Sequence, residues 1–507
     1  MKILLVTGRL AYKWVLEVAK RVKKEYGIDV DVVEFPLPVA AMINSSYLMR
    51  EVHRVKSKLS GVDVVIVPGY SEGDMSEVSR LIGVPVLKGP RNIHDLPLMV
   101  KAMLEGIGFS PTSPADEVLK DYLQKLDLEA ISRAKDRAYR TARALIGSLP
   151  VSPDYPIVML EIYVNSAEAL EQYIRAAQYA DAVVLGFPYG FKPADATKIV
   201  DSAKDVFKKP IGVDTADFEL LTGVLEHVDL INGLPAGNVQ EFAEKFGHFK
   251  EKAIVLVAEG DSPTRRLHSL KKGVKLLAER GFVNILLDPV LMPPLQGLSG
   301  SLEAYFLVKR ELAEKPVLMG IGNVTELVDV DSVGVCALLA FIGVEIGAEA
   351  YLITEASTKT RRSTMELRRA LDMAVIAREL KRTPKDLSVN LLVVKSKKKY
   401  ACSLPRAEVS IYASEKPVYA QDPKGYFKVH VDPSRGELIV QHYPHGSQTP
   451  DVEVRGRDPY AILAEILKRG LASMPGHFFY LGYELAKAKS ALDIGREYEQ
   501  DKELFSG

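Results

Sequence analysis

The runs IVMLEI at 157–162, AVVLGF at 182–187, IGVDT at 211–215, VDLING at 228–233, AIVLVAEG at 253–260, VNILLDP at 283–289, PVLMGIGN at 316–323 and AYLITEA at 350–356 decide the fold. Each is a short apolar stretch that ends in polar or turn-forming residues. Between them lie segments of helical character, such as SAEALEQYIRAAQYA, SPTRRLHSLKKGVKLLAERG and SLEAYFLVKRELAEK, opened by small or capping residues. Eight strand-plus-helix units in this order predict a (β/α)8 TIM barrel over 151–385. An open doubly wound sheet shares the periodicity, because spacing alone does not show closure.

Outward from the barrel the rhythm changes on both sides. Upstream, ILLVTG at 3–8, VDVVEF at 30–35, DVVIVPG at 63–69 and PVLKG at 85–89 alternate with helical stretches, which predicts an open α/β domain over 1–150. Its strands run into TGR, PGYSEGD and KGPRNIHD, with no GxGxxG or Walker sequence to indicate a nucleotide. A charged segment at 116–146 carries Leu119, Leu123, Leu126, Ile131 and Ala134 near helical spacing and leads to VSPDYP. Downstream, LLVVKS, AEVSIYAS, GYFKVHVD and GELIVQHY read as strands, followed by helices at YAILAEILKRG and FFYLGYELAKAKSALDIGREY, which predicts a small α+β domain over 386–507.

The chain has 507 residues, 66 Lys+Arg against 66 Asp+Glu and 47% hydrophobic residues, and with a mean hydropathy of +0.02 it reads as an ordinary globular protein. Neutral charge and the lack of a basic stretch interleaved with aromatics argue against nucleic acid. The KSKKK run at 395–399 reads as a solvated face. No run of about 18 apolar residues suggests a membrane span. Cys336 and Cys402, far apart and outside any CxxC, suggest neither a disulfide framework nor a thiolate metal site, which fits a cytoplasmic protein. Abundant Glu, Lys and Arg beside few Asn, Gln and Cys fits a heat-adapted one.

TIM barrels build their chemistry at the carboxyl ends of the strands, so the polar residues there are the candidates. In order they are Glu161 with Asn165 beyond it, Phe187-Pro188-Tyr189, Asp214-Thr215, Asn232, Glu259 and Asp261, Asp288-Pro289, Asn323-Val324-Thr325, and Thr354-Glu355 with Ser357, Thr358, Lys359 and Arg361. Carboxylates accept from paired N–H groups and amides offer both signs, so their convergence suits a flat heterocycle rich in donors and acceptors, such as a pterin. Capping of helices and turns is the competing role for any single one of them. His94 and His477 read as satisfied surface or core histidines.

GVDTADFELLTGVLEHVDLINGL resembles the third and fourth strands of dihydropteroate synthases, and ILLDP their sixth. The whole length is similar to the archaeal dihydropteroate synthase-related proteins, multidomain relatives linked with tetrahydromethanopterin-type cofactors. The resemblance implies a transferase joining a dihydropterin-methyl diphosphate to an arylamine in folate or tetrahydromethanopterin biosynthesis. Asp288, Asn232 and Asp214 would be ring contacts, and Mg2+ would accompany the diphosphate. Ser357, Lys359 and Arg361, after strand eight, would take the phosphate, and a homodimer is expected. The synthase Ser-Arg-Lys sequence after strand seven, the Arg-x-His-Asp pattern after strand eight and the Asn-rich loop after strand one are absent. Glu161 and Gly320-Ile321-Gly322-Asn323 look similar instead to the methyltetrahydropterin-dependent corrinoid methyltransferases. Across these readings Glu161, Asp214 and Asn323 are the candidate catalytic groups, Asp214 as a further ring contact or proton acceptor and Asn323 also as a pterin contact, and the methyltransferase alternative requires a corrinoid protein as partner. A non-catalytic pterin-binding protein is the third reading.

Overall fold

The computed structural model describes residues 1–396, 408–413 and 420–505, and the chain divides into two compact units. The first comprises residues 1–136 with 372–390. Its four strands, β1 (Lys2–Gly8), β2 (Asp29–Phe35), β3 (Val64–Val67) and β4 (Val86–Lys88), form a parallel sheet in the order β2-β1-β3-β4. Successive side chains point to opposite faces, and both faces are covered. Ile3, Leu5 and Ile66 pack with the helices Tyr12–Tyr26 and Leu96–Leu104, while Leu4, Val6, Val65 and Val67 pack with Leu48, Val55 and Val78 on the other side. Burial on both faces is why these strands read as unbroken apolar runs.

The second unit, residues 137–371 with 391–507, opens with a hairpin of β5 (Ala144–Ile146) and β6 (Leu149–Val151). Eight parallel strands follow: β7 (Ile157–Tyr163), β8 (Ala182–Gly186), β9 (Ile211–Asp214), β10 (Leu230–Pro235), β11 (Ala253–Val257), β12 (Ile285–Asp288), β13 (Leu318–Gly320) and β14 (Ala350–Thr354). They pair in sequence order, β14 returns to β7, and a parallel bridge from Leu287 to Val317 joins β12 to β13, so the sheet closes as a barrel. Ile157, Met159, Val184, Leu230, Val255, Leu286 and Leu318 fill the interior, together with Ala144, Ile146 and Val151 of the hairpin. The hairpin thus plugs the amino-terminal end of the barrel, where fully buried Glu349 accepts from Arg143 at 2.5 Å and Lys309 at 2.6 Å.

The carboxyl-terminal part of this unit is an antiparallel sheet, β15 (Gly425–Asp432), β16 (Glu437–Pro444) and β17 (Val452–Gly456). The helices Pro459–Lys468 and Pro475–Ile494 cover one face, burying Phe427, Val429, Leu438 and Val440 against Ile462, Ile466, Leu481 and Leu485. Two expected strands do not form. LLVVKS at 391–396 is irregular, with Leu392, Val393 and Val394 exposed. Residues 408–413 of AEVSIYAS are irregular too; Ala407 and Ser414, Cys402 and 397–399 of the basic run lie outside the described residues. No helix among the described residues is long and apolar enough to cross a membrane.

Candidate functional site

Parity along the strands decides what faces the barrel lumen. Met159, Leu230 and Leu286 point inward, so Glu161, Asn232 and Asp288, two residues on, point inward one layer nearer the carboxyl-terminal mouth. Asp214 stands beside Asn232 in register, and the Asn232 amide donates to Asp214 Oδ2 at 3.0 Å. The neighbouring Gly233 lies at φ +86, where the β10–β11 register shifts, and a Cβ there would stand 2.7 Å from Asp214 Oδ1. Glycine therefore makes the bulge that aims Asn232 without crowding the carboxylate. Asn232 is 5% exposed, and its Oδ1 has no hydrogen-bond partner among the described residues.

Two carboxyl groups in the mouth hold protons far above their ordinary range. Burial first, then the charge of Asp214 and a hydrogen bond to it, push Glu161 up to about 8. Glu161 therefore keeps its proton at neutral pH and faces Asp214 as a neutral carboxyl group. Burial likewise raises Asp288 to about 6, although the Val290 N–H at 2.7 Å and the Tyr305 hydroxyl at 3.1 Å both donate to its Oδ1.

The folded chain keeps on Glu161 a proton that the unfolded chain releases near 4.5, so stability falls as pH rises from about 4.5 to about 8. Glu161→Gln keeps a donor toward Asp214 but does not titrate. Denaturation curves between about pH 6 and 8, above the range where Asp288 changes most, should show wild type losing stability relative to this variant. A constant difference between the two would place the proton elsewhere.

The segment after β12 is strained into shape. Val290, a β-branched residue, sits at φ 68, in the left-handed region such residues avoid. Arg266 donates to the carbonyls of Pro289 at 3.1 Å and Val290 at 2.8 Å, and Asn323 donates to the Leu291 carbonyl at 3.1 Å. Local strain of about 1–3 kcal/mol held by surrounding contacts is a feature of sites rather than of plain turns. Asn323 is exposed on the rim and tied to the Asp288 loop.

Several of the remaining strand-end residues are engaged in local structure, whereas Glu259 and Tyr189 are exposed. Thr215 Oγ1 accepts from Asp217 N, and Asp217 caps the next helix. Asp261 pairs with Arg265 on the surface, and Asn165 is exposed. After β14, Glu355 accepts from the backbone N–H groups of Arg362 at 2.9 Å and Thr364 at 3.1 Å, so its carboxylate is the anion at the start of the helix Ser363–Glu379. Ser357 forms a capping box with Thr360, Lys359 binds Asp329 at 3.1 Å, and Arg361 donates to the Pro433 carbonyl at 2.7 Å. His477 is buried beside Asp422 at 3.3 Å in the carboxyl-terminal domain. Strand-end reading missed Tyr305, Arg266 and Gly233. The first two lie on helices, and only the Asn232-Gly233 pair within β10 signals the bulge in the sequence.

A family model described as PterinBD-DUF4346 matches residues 421–501, the antiparallel sheet and its helices, and a family of unknown function (DUF6513) matches residues 1–91. Among solved structures, the chain is similar to a truncated 3-deoxy-D-arabino-heptulosonate 7-phosphate synthase from Thermotoga maritima. That match has 14% identity, covers 48% of this chain and 95% of that one, and has a TM-score of 0.37. Yersinia pestis dihydropteroate synthase gives 17% identity, 47% and 99% coverage and a TM-score of 0.38. The chain is 30% identical over 530 aligned residues to the uncharacterized protein MJ0107 of Methanocaldococcus jannaschii, covering 100% of this chain and 99% of that protein. With a full-length relative at that identity and the PterinBD-DUF4346 domain at its carboxyl end, the chain belongs to the archaeal dihydropteroate synthase-related family of pterin-binding proteins that includes MJ0107.

Proposed function

We propose that the barrel mouth binds a reduced pterin and that the protein is a transferase acting on it. The observation that carries this reading is the inward convergence of Asp288, Asn232, Glu161 and Asp214, with Asn232 Oδ1 buried and without a hydrogen-bond partner among the described residues. A buried polar atom without a partner is costly, and a ring N–H would satisfy it. Asp288 can accept from adjacent N–H groups of the heterocycle while Tyr305 and Val290 N hold its carboxyl in place.

The proposed reaction is condensation of a dihydropterin-methyl diphosphate with an arylamine, as the resemblance of the third, fourth and sixth barrel strands to dihydropteroate synthases favours. The bond from the exocyclic carbon to diphosphate oxygen breaks, its electron pair leaves with the diphosphate, and the amine nitrogen bonds to the carbon. The amine proton passes to a carboxylate oxygen in the mouth, Asp214 beside Glu161 being the acceptor this reading assigns. Among the described residues no three His, Cys, Asp or Glu side chains converge to ligate a metal, so Mg2+ would be held mainly by diphosphate oxygens and water. Lys359 would reach the diphosphate by leaving Asp329, an exposed partner in a pair worth about 0–1 kcal/mol.

Methyl transfer from N5 of a methyltetrahydropterin to a corrinoid partner protein is the second reading, favoured by the Glu355 carboxylate standing where a phosphate would use the helix end. There the methyl group leaves to cobalt, the electron pair stays on N5, and the Glu161 proton neutralises it.

The double variant Lys359→Ala/Arg361→Ala discriminates the two. Under condensation its Michaelis constant for the diphosphate substrate rises about tenfold or more, while affinity for a pterin without phosphate is unchanged. Equal rates in variant and wild type would remove these residues from the diphosphate site. Demethylation of methyltetrahydropterin with added corrinoid protein, without condensation, would establish the second reading.

A further inference from the structure

A cavity lies in the amino-terminal unit, lined by residues of that unit alone. It measures about 680 Å3 and opens at the carboxyl ends of β1, β3 and β4. In the order β2-β1-β3-β4 the chain passes from β1 to β2 on one side and then crosses back past β1 to β3 and β4 on the other, so the cavity sits at the point where strand order reverses. Open parallel sheets bind their ligands there, because the two connections diverge and leave a crevice. Gly69 lets the connections close at its floor, since a Cβ on it would stand 2.6 Å from Arg91 N and from the Gly89 carbonyl oxygen.

The walls are apolar, with aromatic rings open to solvent: Trp14 is 58% exposed and Tyr70 51%. Rings left uncovered around a concave surface mark a binding site rather than a core. No Asp or Glu lines the cavity, whereas Arg91 and Lys385 do. Their carboxylate neighbours Glu117, at 3.1 Å from Arg91, and Asp386, at 3.8 Å from Lys385, stand outside the lining. The Lys385 ammonium lies 5.9 Å from the Tyr70 ring centroid, placing a cation beside an aromatic face. Thr7 and Asn92 add hydroxyl and amide groups.

We propose that this cavity is a second small-molecule site, taking a planar aromatic ligand that carries one anionic group, with the ring between Trp14 and Tyr70 and the anion toward Arg91 and Lys385. The cavity is of the size that encloses such ligands, and the paired Arg and Lys without a lining carboxylate select the charge.

Three matched probes test it: 4-nitrobenzoate, 4-nitrophenyl phosphate and neutral 4-nitrobenzamide, titrated into the full chain by calorimetry while Trp14 emission is followed. Trp14 is the single tryptophan in the sequence, so quenching reports this cavity. At least one anion should bind saturably near one per chain, quench Trp14 and bind about tenfold or more tighter than the amide; which anion is tighter identifies the group. Arg91→Ala/Lys385→Ala, at partly exposed positions, should erase that preference while leaving amide binding and the circular dichroism spectrum unchanged. Absence of saturable quenching, equal affinity for amide and anions, or an unaltered preference in the double variant would each overturn the proposal.

Discussion

Arg382→Ala should lower the stability of the amino-terminal unit by about 3–5 kcal/mol, the cost of removing one partner from a buried ion network. Arg382 is 8% exposed overall and its side chain 1%; its two NH groups donate to Asp95 Oδ1 and Asp127 Oδ1, each at 2.9 Å. Asp95 opens the helix Leu96–Leu104, Asp127 lies on the helix Lys120–Ala138, and Asp127 Oδ2 also accepts from Ser388 N at 2.7 Å. The triad thus fastens the returning segment 380–390 onto helices nearly 300 residues earlier in the chain, a separation of 287 for the Asp95 bond. Burial already raises Asp95 against the opposing charge of Arg382, and without that charge two carboxyl groups would stay buried unless protonated. The loss should therefore be smaller at pH 5 than at pH 7. Urea denaturation followed by Trp14, which belongs to this unit, measures it; a loss below about 1 kcal/mol at neutral pH would mean that water reaches the triad.

Asp288→Ala should weaken binding of a reduced pterin by about 1.5–3 kcal/mol, roughly 10- to 150-fold in affinity, because a charged acceptor in a partly buried site is lost. Tyr305→Phe keeps the carboxylate and removes only the hydroxyl that orients it, so it should cost less, about 0.5–1.5 kcal/mol. Calorimetric titration of the two variants gives both numbers. Unchanged affinity in a folded Asp288→Ala protein would place the ring elsewhere.

How much of this was legible in the sequence depends on what each residue answers to. The barrel strands and the four strands of the amino-terminal sheet were readable because burial on both faces writes apolar runs of fixed length. Their inward carboxylates and amides were readable because strand ends define one mouth. The β5–β6 hairpin is not marked in the sequence, since three-residue strands carry little pattern; its place inside the barrel is decided by packing of Ala144, Ile146 and Val151 against strands far along the chain. β17 went unrecognised because VEVRG alternates charged and apolar residues over only five positions. Conversely, LLVVKS has strand composition but is irregular. Tyr305 is invisible to strand-end reading because it reaches Asp288 from the following helix. Glu355 shows how one residue type serves two purposes: at the end of a barrel strand it read as a site candidate, and in the structure it caps the next helix.

The most direct measurement is a crystal structure of the full chain grown anaerobically with 6-methyltetrahydropterin. The ring should lie in the carboxyl-terminal mouth of the barrel, with adjacent ring N–H groups within hydrogen-bond distance of the Asp288 carboxylate and Asn232 Oδ1 paired to the ligand. A pterin bound only outside the barrel, or an empty mouth at saturating ligand, would contradict the account.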